Sequence, residues 1–316
     1  MKKAFEKLNL RDYGVLLGFL ALCIAISIAT PSFLGKQNIL NLLRQSSIIG
    51  IISAGMTFVI ISGNFDISVG AVAALAGAIT MKFATGGTNL FVSMLIGIAI
   101  CAVIGLINGI VVAKINVPSL IATMAMVTIV RGLLLMLTGG YPITENIPIL
   151  DYIGNGYLFN IPIPVVIFFI VVLVSFIVLN RTKFGRYVYS VGGNQEASKL
   201  NGINVDSHKI KVFTINAILA GIAGIVLTGR LGTATAIAGE GYDMDAIASV
   251  VIGGTSVAGG SGSVLKTVIG VLLMSVINNS FNLLGIDVYF QYIFKGLIIL
   301  AAVGFDSYSK KKLASR

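Results

Sequence analysis

Apolar runs of about 17–25 residues, parted by short polar breaks, recur along almost the whole chain. A bilayer's hydrocarbon core of about 30 Å asks for that length in a crossing helix. A soluble protein with buried helices would show polar faces along these runs, and they have none. The pattern predicts ten spans, at 13–29, 47–62, 69–85, 90–112, 119–137, 163–179, 211–229, 245–258, 263–284 and 289–305. The expected fold is therefore all-α and polytopic, one transmembrane domain over residues 1–316. Two spans are unusual. The third opens on Gly63-Asn64-Phe65-Asp66-Ile67-Ser68-Val69-Gly70, and the eighth is short and runs into Gly259-Gly260-Ser261-Gly262-Ser263.

One polar stretch is far longer than the other breaks. Residues 180–211 hold Arg181, Lys183, Arg186, Lys199, His208, Lys209 and Lys211, punctuated by Gly185, Gly192, Gly193 and Gly202. Asn194 reads as the N-cap of a short helix over Gln195–Leu200, and Gly202 as its C-cap. Ala197, Leu200 and Ile203 would give it a small apolar face. A two-turn helix is marginal alone, so it needs a partner protein or its own bundle to pack on.

Composition agrees with the membrane reading: 56% hydrophobic residues, 11% charged residues and a mean hydropathy of +0.98. Soluble domains carry about a quarter charged residues. The formal charge of +10 collects at one set of span ends, so the positive-inside rule explains it without a nucleic-acid partner. It places Lys2, Lys3, the 180–211 loop and Lys310-Lys311-Lys312 in the cytoplasm, with both termini. The 138–162 loop, with Glu145 and Asp151 and no Lys or Arg, falls outside. Lys36 and Arg44 are exceptions, expected on an outer segment along the membrane interface. The basic start before Tyr13–Ala29 resembles a secretory signal, but Thr30-Pro31-Ser32 makes a poor cleavage site, so a retained first helix is expected. Cys23 and Cys101 lie inside spans, read as small core residues.

Few residues offer chemistry. Asp66 is an acid at or within the membrane, where charge is costly; Asn64 and Ser68 are placed to satisfy it, in a turn or beside a solute path. Glu240, Asp243 and Asp245 precede the short eighth span, as a solvated loop with an N-cap or as a vestibule. Asn108, Ser275, Asn278, Asn279 and Asn282 either line a path or hydrogen-bond between helices. The Gly253–Gly262 stretch lacks the Gly-Lys-[Ser/Thr] ending of a phosphate loop and reads as a tight turn. With no Walker motif, no nucleophile–base pair, a single histidine and no metal spacing, neither enzyme chemistry nor a cofactor is expected in this chain.

The halves echo one another: Asp66-Ile67-Ser68-Val69 with Asp243-Met244-Asp245-Ala246, Asn108 with Asn279, and Arg131-Gly132-Leu133 with Lys295-Gly296-Leu297. Spans 2–5 and 7–10 would then form an inverted repeat.

The motifs together resemble a known family. Gly185-Arg186-Tyr187-Val188-Tyr189-Ser190-Val191-Gly192-Gly193-Asn194 is similar to the cytoplasmic signature of ribose-type ABC transporter permeases, in the branched-chain-amino-acid/ribose permease superfamily. So are Gly239–Ala248 with Val251–Ser256, the Gly63–Gly70 element (with Ile67 and Asn64 as departures), and Asn116–Thr123. The resemblance implies a permease subunit of a bacterial plasma-membrane importer, paired as a dimer, most naturally of identical chains. It implies a cytoplasmic ATPase that binds ATP and magnesium, an extracytoplasmic sugar-binding protein, and a fold like the vitamin B12-type importers. In it Arg186, Gly192, Gly193, Asn194, Glu196, Lys199 and Leu200 would carry ATPase coupling. The cargo would be a monosaccharide, ribose first, with another sugar, a nucleoside or a furanose signal as alternatives. A proton- or sodium-coupled carrier using Asp66 or Asp243 is the rival from another class.

Overall fold

The computed structural model describes residues 10–314, with side chains placed for 14–301, 303 and 304. Lys2, Lys3 and Lys7 lie outside the described residues, as do the side chains of Lys310-Lys311-Lys312. The described chain is a helical bundle: α1 (Leu10–Ala29), a 3-10 turn (Pro31–Leu34), α2 (Lys36–Ile61), α3 (Val69–Thr85), α4 (Leu90–Ala113), α5 (Ser119–Thr138), α6 (Pro148–Asn155), α7 (Ile163–Arg181), α8 (Lys183–Gly193), α9 (Gln195–Leu200), α10 (Val205–Leu231), α11 (Tyr242–Ile252), α12 (Val264–Leu283) and α13 (Val288–Ala314). Among the described residues, six helices are long and apolar enough to cross a membrane: α2, α4, α5, α7, α10 and α12. Shorter apolar stretches lie in α1, α3 and α13, at Gly14–Ala29, Val69–Thr85 and Val288–Ala301.

Helix α10 stands at the centre, packed on α2, α3, α4 and α6. Without water to drive apolar surfaces together, membrane helices associate through close van der Waals contact, which favours small residues at crossings. A Cβ on Gly224 would lie 1.8 Å from the Ala73 carbonyl oxygen, and one on Gly77 would lie 1.9 Å from Thr228 Oγ1. Across α4, a Cβ on Gly109 would meet Ile210 Cα at 2.6 Å. These helices touch backbone to backbone, a contact only glycine allows.

At one end of the bundle a cap is built from α6 and two small strand pairs. Strand β1 (Ile143–Thr144) pairs antiparallel with β4 (Thr233–Ala234), and β2 (Tyr157–Leu158) with β3 (Ile161–Pro162). At the opposite end lie α8, α9, the loop between α2 and α3, and the loop between α11 and α12.

Several span boundaries differ from the sequence reading: α10 begins at Val205, within the polar stretch, and α13 runs on to Ala314, while α2 and α11 depart for reasons that can be named. Helix α2 is continuous from Lys36, so Arg44 is not on a segment along the interface. It is buried, donates to the Asn155 carbonyl at 3.2 Å and lies 4.9 Å from the centre of the Tyr157 ring. The polar run Asn41–Ser47 interrupts hydropathy without interrupting the helix, because Ser47 Oγ returns to the Leu43 carbonyl at 2.7 Å and the cap receives Arg44. The eighth span ends at Ile252, not 258: Gly254, Gly259 and Gly260 take positive φ, which closes the helix and turns the chain.

Gly224→Ala forces α3 and α10 apart and is expected to cost about 1–3 kcal/mol, lowering the thermal unfolding midpoint in detergent. Gly132→Ala, whose Cβ meets nothing within 4 Å, leaves that midpoint unchanged.

Candidate functional site

The loop 62–68 turns on Gly63, with φ of 79°. Its carboxylate, Asp66, is buried. Oδ1 accepts from the Ser68 backbone N–H at 2.9 Å and from Ser68 Oγ at 2.5 Å, and Oδ2 accepts from Asn216 Nδ2 at 2.9 Å. Asn108 Nδ2 donates to Ser68 Oγ at 3.0 Å. Two more bonds fasten the loop to α5: Phe65 N–H to Ser119 Oγ at 3.1 Å and Ile67 N–H to Thr123 Oγ1 at 3.2 Å. Asn64 stands apart from the carboxylate and donates to the Ser62 carbonyl and hydroxyl, each at 3.1 Å. Asn216 comes from α10, and Gly55 of α2 leaves room for it, since a Cβ there would lie 2.5 Å from Asn216 Oδ1. The sequence reading missed Asn216; a lone amide in an apolar span was the available signal.

A second polar group forms on the short helix α11. Asp245 is buried, with Lys295 Nζ of α13 3.0 Å from Oδ1 and 3.1 Å from Oδ2. Asn278 of α12 lies beside the same carboxylate. Asn279 is not in this group; it exchanges amide hydrogen bonds with Asn38 of α2 at 3.0 and 2.7 Å. Arg131 of α5 donates to the carbonyls of Ala236 and Ala238, with Glu240 and Asp243 as its charged neighbours. Around these side chains lies a cavity of about 580 Å³, which Ile67, Gly70, Arg131, Glu240, Asp243 and Tyr292 help to line.

The third group lies at the end opposite the cap. Thr182 caps α8, its Oγ1 accepting from Gly185 N–H at 3.2 Å, and Asn194 caps α9, accepting from Ala197 N–H at 2.9 Å. Helix α9 rests on Ser198, whose Oγ lies 2.9 Å from Ser190 Oγ. Its apolar face is turned away from the bundle: Ala197 is exposed and Leu200 is 89% exposed. Arg186, Gly193, Glu196 and Lys199 are exposed as well, the last two 4.0 Å apart. An exposed pair of this kind contributes little stability.

Three glycine runs, distant in sequence, meet beneath this loop. Gly260 N–H donates to the Ile61 carbonyl at 2.8 Å, and a Cβ on Gly192 would lie 1.7 Å from that same oxygen. A Cβ on Gly260 would lie 2.7 Å from Gly193 Cα, and one on Gly259 would lie 2.9 Å from Gly63 Cα. Tyr189 Oη donates to the Gly262 carbonyl at 2.9 Å, and burial pushes its phenol up from the usual tyrosine pKa, so it stays a donor at working pH. The loop 180–211 is thereby joined directly to the segment that continues into α11 and α12.

Asn216→Leu removes a donor from a buried carboxylate and is expected to cost about 3 kcal/mol. A double-mutant cycle with Asp66→Asn, read by thermal unfolding in detergent, should show a coupling well above experimental error. A coupling of zero would mean that the two side chains act independently.

Among described residues, no group of three or more His, Cys, Asp or Glu could hold a metal. No solved structure matches the chain. The ribose import permease protein of Haemophilus influenzae is 44% identical over 303 residues, covering 93% of this chain and 94% of that one. The ribose import permease protein of Bacillus subtilis is 42% identical over 300 residues, covering 94% and 93%. The xylose transport system permease protein of Haemophilus influenzae is 34% identical over 371 residues, covering 98% and 99%. The family model for the permease component of branched-chain amino acid transport systems matches residues 38–303, which take in every one of the three polar groups above. The chain is a member of that permease family.

Proposed function

We propose that this chain is the membrane-spanning subunit of an ATP-driven importer for a monosaccharide, with ribose as its cargo. The observation that carries the reading is the 180–211 loop: it offers the exposed face of α9 outward while its glycines and Tyr189 grip the turn between α11 and α12. ATP can move such a permease only through contacts that differ between two states, so a coupling loop must be held firmly on the inside and free on the outside. Arg186, Asn194, Glu196, Lys199 and Leu200 supply the docking face; Gly192 and Gly193 supply the close contact that passes movement on.

In this reading the chain crosses a bacterial plasma membrane ten times, α11 being a partial crossing, with both termini and the 180–211 loop in the cytoplasm and the α6 cap outside. Helices α2–α5 and α10–α13 are the two inverted halves of a vitamin B12-type importer fold. The bond from Asn108 to Ser68 and the approach of Asn278 to Asp245 occupy corresponding places in the halves, which supports the repeat and makes Asn278, not Asn279, the partner of Asn108.

The 11-residue helix α11 rises about 16 Å from the coupling end, near half of a core about 30 Å thick. Glu240 and Asp243 therefore lie deep in the membrane, where contact with lipid costs about 2.5–3.5 kcal/mol for an acid at the centre. A second, identical permease chain covering this face removes that cost and encloses the path. A cytoplasmic ATPase with Mg-ATP and an extracytoplasmic sugar-binding protein complete the importer. An ion-driven carrier is disfavoured, since Asp66 is committed to Ser68 and Asn216, and Asp243 has the Arg131 guanidinium as its charged neighbour.

Reconstitution tests the reading. ATP-dependent ribose uptake should require the ATPase and the binding protein together with this chain; uphill uptake by the chain alone overturns it. Tyr189→Phe should leave ATPase assembly intact while sugar uptake per ATP falls about fivefold, the factor for a hydrogen bond worth about 1 kcal/mol of coupling.

A further inference from the structure

The importer reading says nothing of where the solute is held on its way through. The cavity at the first turn of α11 has the volume of a small-molecule site, about 580 Å³, within the usual range of roughly 300–1,000 Å³. A second cavity of about 270 Å³ shares Glu240, Gly241, Met244 and Tyr292 with it and adds Gln291 and Lys295. The first turn of α11 thus divides one mostly apolar opening, with a few charged groups set into its wall, into two chambers.

The groups around this opening select a chemistry. Carboxylates only accept hydrogen bonds and a guanidinium only donates them. A solute bridging Arg131 and an acid must therefore accept with one atom and donate with a neighbour, as adjacent hydroxyls do. Arg131 is held in place by the Ala236 and Ala238 carbonyls through Nη1, which leaves Nη2 and Nε to donate from a fixed position. Preorganisation of that kind lowers the cost of binding. Tyr292, 61% exposed, adds an aromatic surface for the C–H face of a sugar ring. Acids and bases stand interleaved: Arg131 beside Glu240 and Asp243, Lys295 on Asp245. An anion would meet the acids and a cation the bases, so a neutral polyhydroxylated solute fits best.

Resting on the importer reading, we propose that this opening is a weak polyol subsite within the path. Glu240 and Asp243 accept from sugar hydroxyls, Arg131 donates to them, and the Tyr292 ring stacks on the sugar. The Lys295–Asp245 pair holds the dividing helix in place between the chambers.

The test needs no binding protein, so its specificity does not intrude. In the permease–ATPase complex carrying Cys23→Ala and Met244→Cys, a water-soluble maleimide labels the cavity wall, and Cys101, being buried, stays silent. Ribose is expected to slow labelling severalfold, while sodium chloride and sodium phosphate at the same concentration do not. Glu240→Gln, Asp243→Asn and Tyr292→Ala abolish the protection without lowering the thermal midpoint, and Tyr292→Phe preserves it. Equal labelling with and without ribose overturns the proposal, as does protection that survives all three substitutions. Failure of the importer reading is seen separately, as absence of ATP-dependent uptake by the unsubstituted complex with its binding protein.

Discussion

The hydrogen bond from Asn216 to the buried Asp66 carboxylate joins the central helix to the loop on which the end opposite the cap is built. In a hydrocarbon core no water can satisfy a carboxylate or a freed backbone amide, so the chain itself has to do so. Asp66 is satisfied by Ser68 and Asn216, Ser68 by Asn108, and the neighbouring amides of Phe65 and Ile67 by Ser119 and Thr123. Residues 62–68 thereby gather α4, α5 and α10 around one short segment. Any displacement of that segment strands several buried polar groups at once, so it moves with those helices as a unit.

Glycine extends this fixed segment outward. Gly63, Gly192, Gly193, Gly259 and Gly260 bring three stretches of backbone into contact with no side chain between them. Side chains would cushion a push by changing rotamer; backbone in direct contact does not. The 180–211 loop, the α2–α3 loop and the turn before α12 consequently form one mechanical junction. The exposed face of α9 lies on one side of it and α11 on the other.

At the far end of α11 the constraint is electrostatic. Asp245 and Lys295 are each other's partners at 3.0 Å, and breaking such a buried pair is far more costly than its net contribution to stability. Arg131 is anchored to carbonyls of the approaching loop. Charges held this way give the opening polarity without leaving a strong field of either sign, which is what the proposed polyol subsite requires.

Much of this was legible in the residues. Apolar run length announced the long spans, because bilayer thickness leaves a crossing helix little choice. The Asn194 and Gly202 caps framed α9, because capping is a local interaction. Position relative to the apolar runs marked Asp66 as an unusual acid, whereas Asp245 read only as one of three acids before a short span and its burial came as a correction. Partners were another matter. Nothing local pairs Asn216 with Asp66 across 150 residues, Lys295 with Asp245 across 50, or Gly192 with Gly260, and hydropathy could not show that Arg44 belongs inside a helix. Side-chain chemistry and chain-local geometry decided which segments are helical and which residues need satisfying. Packing in three dimensions alone decided which distant residue satisfies each, since that depends on helix crossings that glycine permits but does not locate.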